Sequence, residues 1–346
     1  MRCEAPHDCE VDEVALCEDA ALGSMFADCS PTTAMIIERK DLEHQIAQVL
    51  TTAVDPAKGL FGPDSVTWRV DREASLFLAG GRALLLQLAH PWIAEAIAAH
   101  SQTMSDPIGR FHRTFSIMFS IIFGTVDQAI AAARRLYERH AQISGTMSES
   151  AGPFAKGSSY LANELNALRW VSATLTESSL VAYDLVLPTL SDGERRRYYY
   201  ESKSIAALFG IPPAHLPQDW TAFMNYNEQM WRSDVLTVTP TARAIADRVL
   251  WQGARWPLTP KWYRAVTALL LPPRLREGFG LPYGSDEQKS AEKALKWIRR
   301  AHGVLPESIR FVGPYQEAVG RLLGRSRPRF RTQMVNRFWI GRSALD

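Results

Sequence analysis

The sequence predicts an all-α fold, a single domain of many helices. Apolar residues recur at offsets of three and four along most of the chain. Candidate strands are few and short, and Gly or Pro breakers arrive every ~10–20 residues, as they do between packed helices. The helical pattern begins near residue 41: Asp41 precedes Leu42, Ile46, Val49 and Leu50, which share a face until Pro56 and Gly59 stop the segment. Asp71 is expected to cap a longer run whose apolar residues, Leu76 through Leu88, are too continuous for a surface helix, so that run is expected to be buried. Pro91 falls inside the pattern, where it either kinks the helix or sits in the first turn of a new one. Ile93, Ile97 and His100 then lie on one stripe. Further helices are predicted over 107–123, 127–144, 161–187, 191–209, 218–232, 239–252, 259–271, 286–302, 306–323 and 329–340. Pro272 to Gly284 is a Pro/Gly-rich stretch that reads as a loop or a weak boundary.

The 346 residues carry a formal charge of +2, with 46% apolar and 22% charged residues, the composition of an ordinary globular protein. Thirty-nine basic residues nearly balance thirty-seven acidic ones, so no whole-protein field exists to hold a nucleic-acid backbone. Apolar runs such as Leu84–Leu86 and Ala268–Leu271 fall far short of the ~18–20 residues that cross a bilayer. Acidic residues rather than a basic n-region follow Met1, so a cytoplasmic address is the simplest expectation. All four cysteines (Cys3, Cys9, Cys17, Cys29) precede residue 30 and form no C-x-x-C, so the body can hold no disulfide, thiolate cluster or cysteine nucleophile.

The first 30 residues carry eight Asp/Glu against one Arg and are expected to be a mobile acidic tail. Residues 31–325 are the expected helical domain, and 326–346 a basic C-terminal tail. From Arg321 to Arg342 there are seven arginines and no acidic residue. That stretch reads as a solvated helix face plus a tail, or as a surface for an anionic membrane or an acidic partner, the chain's own N-terminal segment included.

Several chemistries lack their signatures. There is no G-x-S-x-G elbow, Walker A loop or H-E-x-x-H, and Gly278-Phe279-Gly280 with Gly284 has the spacing of a turn rather than of a cofactor loop. A di-iron bundle needs two Glu-x-x-His motifs, and the one match is Glu4 to His7 in the acidic segment. What remains is a set of polar residues inside apolar helices. His90 before Pro91 has an ordinary reading as a core histidine satisfied by a backbone carbonyl. Asp106 as N-cap and Pro107 at the first helical position start the 107–123 helix. Arg110, Arg113 and Thr114 then share one face, which continues as Ile117, Met118 and Ile121, so two guanidiniums lead toward a core and call for anions. Internal carboxylates answer that need, and so does a ligand with two carboxylates, a chemistry that haem propionates have. His140 shares the apolar face of Leu136 and Ile143. If the two helices pair antiparallel through Gly124-Thr125, His140 and Arg110 lie at similar heights, ~25 Å and ~21 Å from the turn, and can line one pocket.

At these residues the sequence resembles the oxygenase family that contains MpaB and the latex clearing protein, a rubber oxygenase. The resemblance spans roughly residues 70–235 and is carried by Gly81-Arg82-Ala83-Leu84-Leu85-Leu86-Gln87 with Ala89-His90-Pro91, then His100-Ser101, Asp106-Pro107, Arg110, Arg113-Thr114 and Phe123-Gly124. Arg135-x4-His140 ending at Gly145, Leu168-Arg169-Trp170-Val171 and Leu208-Phe209-Gly210-Ile211-Pro212 extend it. The resemblance implies a globin-like helical core that holds haem b by one histidine and uses O₂ to cleave a carbon–carbon double bond in an isoprenoid.

Carried over, His140 matches the iron ligand, and Arg110 and Thr114 the arginine and threonine near the haem. Arg113 stands where the rubber oxygenases have a lysine that can cap the iron. A guanidinium has no lone pair for a metal, so that ligation is expected to be lost. Ser172 departs from the histidine usual after Trp-Val.

The expectation is therefore a haem b oxygenase acting with O₂ on a hydrophobic, isoprenoid-like small molecule. His90, Glu95 and Arg113 are the candidate catalytic residues, Arg110, Arg113, Thr114 and His140 hold the cofactor, and His140 is the metal ligand. No nucleic acid or membrane span is expected, and peripheral membrane contact stays open. The rival readings are a haem protein with peroxidase or tailoring-oxidase chemistry, and a helical lipid-binding protein without catalysis.

Overall fold

The computed structural model describes residues 35–52, 55–100, 106–250 and 259–346. The acidic segment expected over 1–30, with its four cysteines, lies outside the described residues. Ile36–Asp346 forms one unit, and the all-α prediction holds: sixteen α-helices occupy the described residues, joined by one small hairpin. In chain order they are α1 (Arg39–Thr52), α2 (Val66–Asp71), α3 (Gly80–Leu88), α4 (Pro91–His100), α5 (Pro107–Phe123), α6 (Val126–Ala141), α7 (Leu165–Val186), α8 (Asp192–Ala207), α9 (Trp220–Arg232), α10 (Pro240–Leu250), α11 (Lys261–Leu270), α12 (Pro273–Gly278), α13 (Ser285–His302), α14 (Glu307–Arg310), α15 (Gly313–Leu322) and α16 (Phe330–Ile340). None of these is long and apolar enough to cross a membrane.

Local chemistry explains the pair that matters most. Asp106 accepts from the Gly109 amide at 2.8 Å and Pro107 supplies a fixed φ at the first turn, so α5 starts where the sequence predicts. Gly124 ends α5, and Thr125 with Gln128 forms a capping box that starts α6 at once (Gln128 N to Thr125 Oγ1 3.2 Å, Thr125 N to Gln128 Oε1 2.9 Å). A Cβ at position 124 would sit 2.3 Å from the Ser120 carbonyl oxygen, so this tight reversal needs glycine. The two helices pack along their length as an antiparallel hairpin.

The 22-residue α7 links two cores. Its Leu168 belongs to a cluster with Trp68, Phe119, Phe123 and Trp339, and its Trp170 to a second with Leu85, Leu86 and Phe223. Trp68 Nε1 donates to the Ile122 carbonyl and Trp170 Nε1 to the Leu86 carbonyl, both at 2.9 Å, so each large ring is buried with its polar atom satisfied. Arg82 on α3 reaches Glu177 (2.8 Å) and Ser178 (2.8 Å) on α7 and the Leu270 carbonyl at the end of α11 (3.0 Å), a buried cation that ties three helices together.

Several boundaries differ from the expected ones for visible reasons. Asp71 does not cap the buried run: it ends α2, is itself buried, and takes the Tyr198 hydroxyl at 3.2 Å. That run begins as a 3₁₀ turn, Ala74–Ala79, before α3. The helix expected over 306–323 is split into α14 and α15 because Phe311 and Val312 turn extended, and the Val312 amide donates to the Arg72 carbonyl at 2.8 Å. Strands β1 (Ser144–Thr146) and β2 (Ser159–Leu161) take residues expected at the ends of two helices and pair antiparallel, Gly145 opposite Tyr160. Within the basic segment 326–346, α16 buries Thr332, Asn336, Trp339 and Ile340, and Leu345 beyond it is buried too.

Candidate functional site

The α5–α6 hairpin forms one wall of a cleft of about 240 Å³. That volume lies close to the lower end of the ~300–1,000 Å³ of ordinary ligand pockets. Arg110, Arg113 and Thr114 face it from α5, and Arg139 and His140 from α6. The convergence expected from helix arithmetic is therefore present. The remaining walls are mostly apolar, with Ile93 and Ile97 of α4, Met118 of α5, Leu136 of α6, and Leu168 and Val171 of α7. No Asp or Glu is among the described residues that line the cleft.

That charge pattern has consequences. Burial first, and then the neighbouring Arg113 and Arg139 cations, lower the Arg110 pKa to about 10. It remains charged at neutral pH, and an anion in the cleft would favour that charged form. Arg113 meets Asp106 Oδ2 at 3.4 Å toward the N-terminus of α5. His140 is half-buried, and no hydrogen bond to its ring nitrogens is formed among the described residues. Burial, reinforced by the Arg139 cation, lowers its pKa to about 4, so its imidazole is neutral at pH 7 and has a free lone pair.

His90 and Glu95 do not line the cleft. His90 is buried with its Nδ1 outside strict hydrogen-bond geometry, and its own backbone group acts on the ring as a minor influence that favours the protonated form. Its ring packs 5.1 Å from Phe154 and 6.2 Å from Trp92, and Trp92 does line the cleft. Burial lowers the His90 pKa to about 4. Glu95 is buried and accepts from Ser148 Oγ at 2.7 Å and from Thr241 Oγ1 at 3.4 Å. Its charge is felt at Tyr160, a cleft residue whose pKa is raised by burial first and Glu95 second. Ser172 also points elsewhere. It lines a small pocket of about 20 Å³ with Arg169, Tyr199 and Tyr226, whereas the adjacent Val171 faces the main cleft.

Four polar cleft residues were not among the expected site residues, and one of them, Gln87 on α3, donates from Nε2 to Thr174 Oγ1 at 3.0 Å. Arg139 adjoins His140 in sequence, so the arginine-rich end of α6 carried the signal. His100, already on the stripe of Ile93 and Ile97, lines the cleft and is held by the Ser144 carbonyl at 2.9 Å. Tyr160 arrives on β2, an element that helical periodicity does not reveal.

A family model described as "ER-bound oxygenase mpaB/B'/Rubber oxygenase, catalytic domain" matches residues 68–302. No curated protein and no solved structure matches the chain. The matched stretch contains all six expected site residues and stops before α14, α15 and α16.

Proposed function

The chain belongs to the mpaB/rubber oxygenase catalytic-domain family, and from that premise we propose that it is a haem b-dependent oxygenase that uses O₂ to oxidise or cleave a hydrophobic, isoprenoid-like small molecule. The observation that carries the haem reading is one neutral imidazole, His140, facing a cleft shared with Arg110, Arg113 and Arg139 and lined by no described carboxylate. Among the described residues no group of three or more His, Cys, Asp or Glu could hold a bare metal ion. A metal that brings most of its own ligands, as a porphyrin does, suits a lining with one such imidazole.

The residues present fit that group. His140 would hold the iron through its unprotonated ring nitrogen, and Arg110 and Arg113 would neutralise the two propionates. When bound, haem would supply a redox-active iron centre able to bind and activate O₂. The rest of the work falls to the chain. The Thr114 hydroxyl can donate or accept one hydrogen bond in the cleft, and Arg113 offers hydrogen-bond donors but no lone pair. Ile93, Ile97, Leu136, Met118 and Val171 keep water from an apolar substrate. His90 and Glu95, both set back from the wall, would act through Trp92 and Tyr160 or after a side-chain movement.

The absorption spectrum of the purified protein tests the reading. A Soret band that survives gel filtration is expected, with His140→Ala abolishing it. A colourless protein that takes up no added haem overturns the proposal and leaves a helical lipid-binding protein as the better account. Product analysis with an isoprenoid under oxygen separates an oxygenase from a peroxidase or tailoring oxidase.

A further inference from the structure

We propose that α16 is a peripheral docking face for anionic membrane surfaces. The helix buries one side, with Thr332, Asn336, Trp339 and Ile340, and leaves Phe330 at 72%, Met334 at 49% and Phe338 at 53% exposed. Large apolar side chains scattered singly over a surface need no explanation, but three in a row along one ridge do.

At ~100° per residue the three lie within ~80° of arc, with Arg337 about 20° beyond one edge and Arg331 about 20° beyond the other. Arg329 stands at the N-terminus of the same helix, and Arg331, Arg337 and Arg329 are all exposed. The acidic groups nearby are engaged elsewhere. Glu317 accepts from Asn336 Nδ2 at 2.7 Å and from the Leu345 amide, and Asp346 pairs with Arg342.

A stripe of this shape, apolar along its crest and cationic on both shoulders, matches an interfacial helix lying in the plane of a bilayer. The apolar crest enters the acyl boundary while the guanidiniums stay at headgroup level. An acidic soluble partner would satisfy the arginines but would leave the phenylalanines without a reason. The face lies outside the stretch matched by the family and does not depend on the haem reading. It is linked to the cleft through α5. Trp339 packs against Phe111 and Phe115 at 6.0 and 5.7 Å, and the His112 ring contacts the Phe338 carbonyl at 3.0 Å, while Arg110, Arg113 and Thr114 of the same helix face the cleft. Docking through α16 would thus bring the wall of an apolar site toward the place where apolar substrates dissolve.

Vesicle flotation of the full chain tests this. Vesicles of phosphatidylcholine with about one-third phosphatidylserine are expected to bind at least ~10-fold more protein than phosphatidylcholine alone, and added salt is expected to weaken that binding. Two independent triple variants, Phe330→Ser/Met334→Ser/Phe338→Ser and Arg329→Gln/Arg331→Gln/Arg337→Gln, should each lose ~10-fold or more with unchanged far-ultraviolet circular dichroism. Trp297→Ser, which alters an exposed tryptophan on α13, should bind as the unmodified chain does. No binding to anionic vesicles, equal binding to both vesicle types, undiminished binding in either triple variant, or an equal loss in Trp297→Ser overturns the proposal. Capture of polyglutamate without vesicle binding also overturns it and would assign the face to an acidic partner.

Discussion

His140 is the residue whose protonation state decides most. Its pKa in the folded chain, about 4, lies below the usual 6.5 because burial and the Arg139 cation both disfavour the imidazolium. The neutral ring therefore persists down to that pH, and protons compete for the nitrogen only below about pH 5. The proposed haem site is accordingly expected to keep its Soret band unchanged from pH 8 to about 5, followed beside far-ultraviolet circular dichroism to separate ligand loss from unfolding. A midpoint near 6.5 would show an unperturbed histidine and remove the buried-ligand argument. This residue was legible in the sequence because an apolar helix face surrounds it and the Arg110/Arg113/Thr114 face stands at the matching height on the preceding helix. His90 and Glu95 were harder to place. Helical offsets reveal which side of α4 is buried, but not whether a buried side faces a hollow or packed side chains.

At the scale of elements, the helices that begin with a chemical signal were read most closely, and those whose ends depend on tertiary contacts were not. Asp106-Pro107 started α5 on the expected residue, whereas the break between α14 and α15 exists because Val312 donates to Arg72 far away in the chain. The three-residue strands β1 and β2 are too short to display alternation, so the hairpin that delivers Tyr160 had no periodic signature. The Gly81-Arg82 pair shows that residues carrying a family resemblance can serve architecture rather than chemistry. A Cβ at position 81 would lie 2.5 Å from Thr267 Oγ1, so α3 and α11 approach closely there, and the neighbouring Arg82 is buried against Glu177. Arg82→Ala would strand the Glu177 carboxylate among α3, α7 and α11, and is expected to cost ~3–5 kcal/mol. Arg82→Met/Glu177→Leu should cost much less, because it removes both charges at similar volume. Urea midpoints measured at pH 7 check the ranking, and a double variant as unstable as the single one would show that the pair contributes more than mutual compensation.

For the whole molecule, the buried titratable groups set opposing limits on stability. His90 and His140, each with a folded pKa of about 4, have pKa values depressed by burial, so their contribution is present above the ordinary 6.5 and is lost as pH falls through 4. Asp71 has the opposite sign. Burial raises it to about 7 against the lowering effect of hydrogen bonds from Ser179 and Tyr198, so its contribution is full below the ordinary 3.8 and is lost as pH rises through 7. Between about pH 4 and 6.5 the unfolded chain binds two more protons at the histidines and one fewer at Asp71, so these three groups make stability rise with pH. Between about 6.5 and 7 only Asp71 still differs, and the slope reverses, which places the optimum of this set near pH 6.5. Asp71→Asn removes the falling limb while keeping an oxygen acceptor for Tyr198. The variant is expected to gain a few kcal/mol relative to the unmodified chain between pH 4 and pH 8, since about three pKa units at ~1.4 kcal/mol each are no longer lost. Urea unfolding of both proteins at pH 4, 6 and 8 measures the difference, and parallel pH profiles would mean that Asp71 titrates normally and that its burial carries no such penalty.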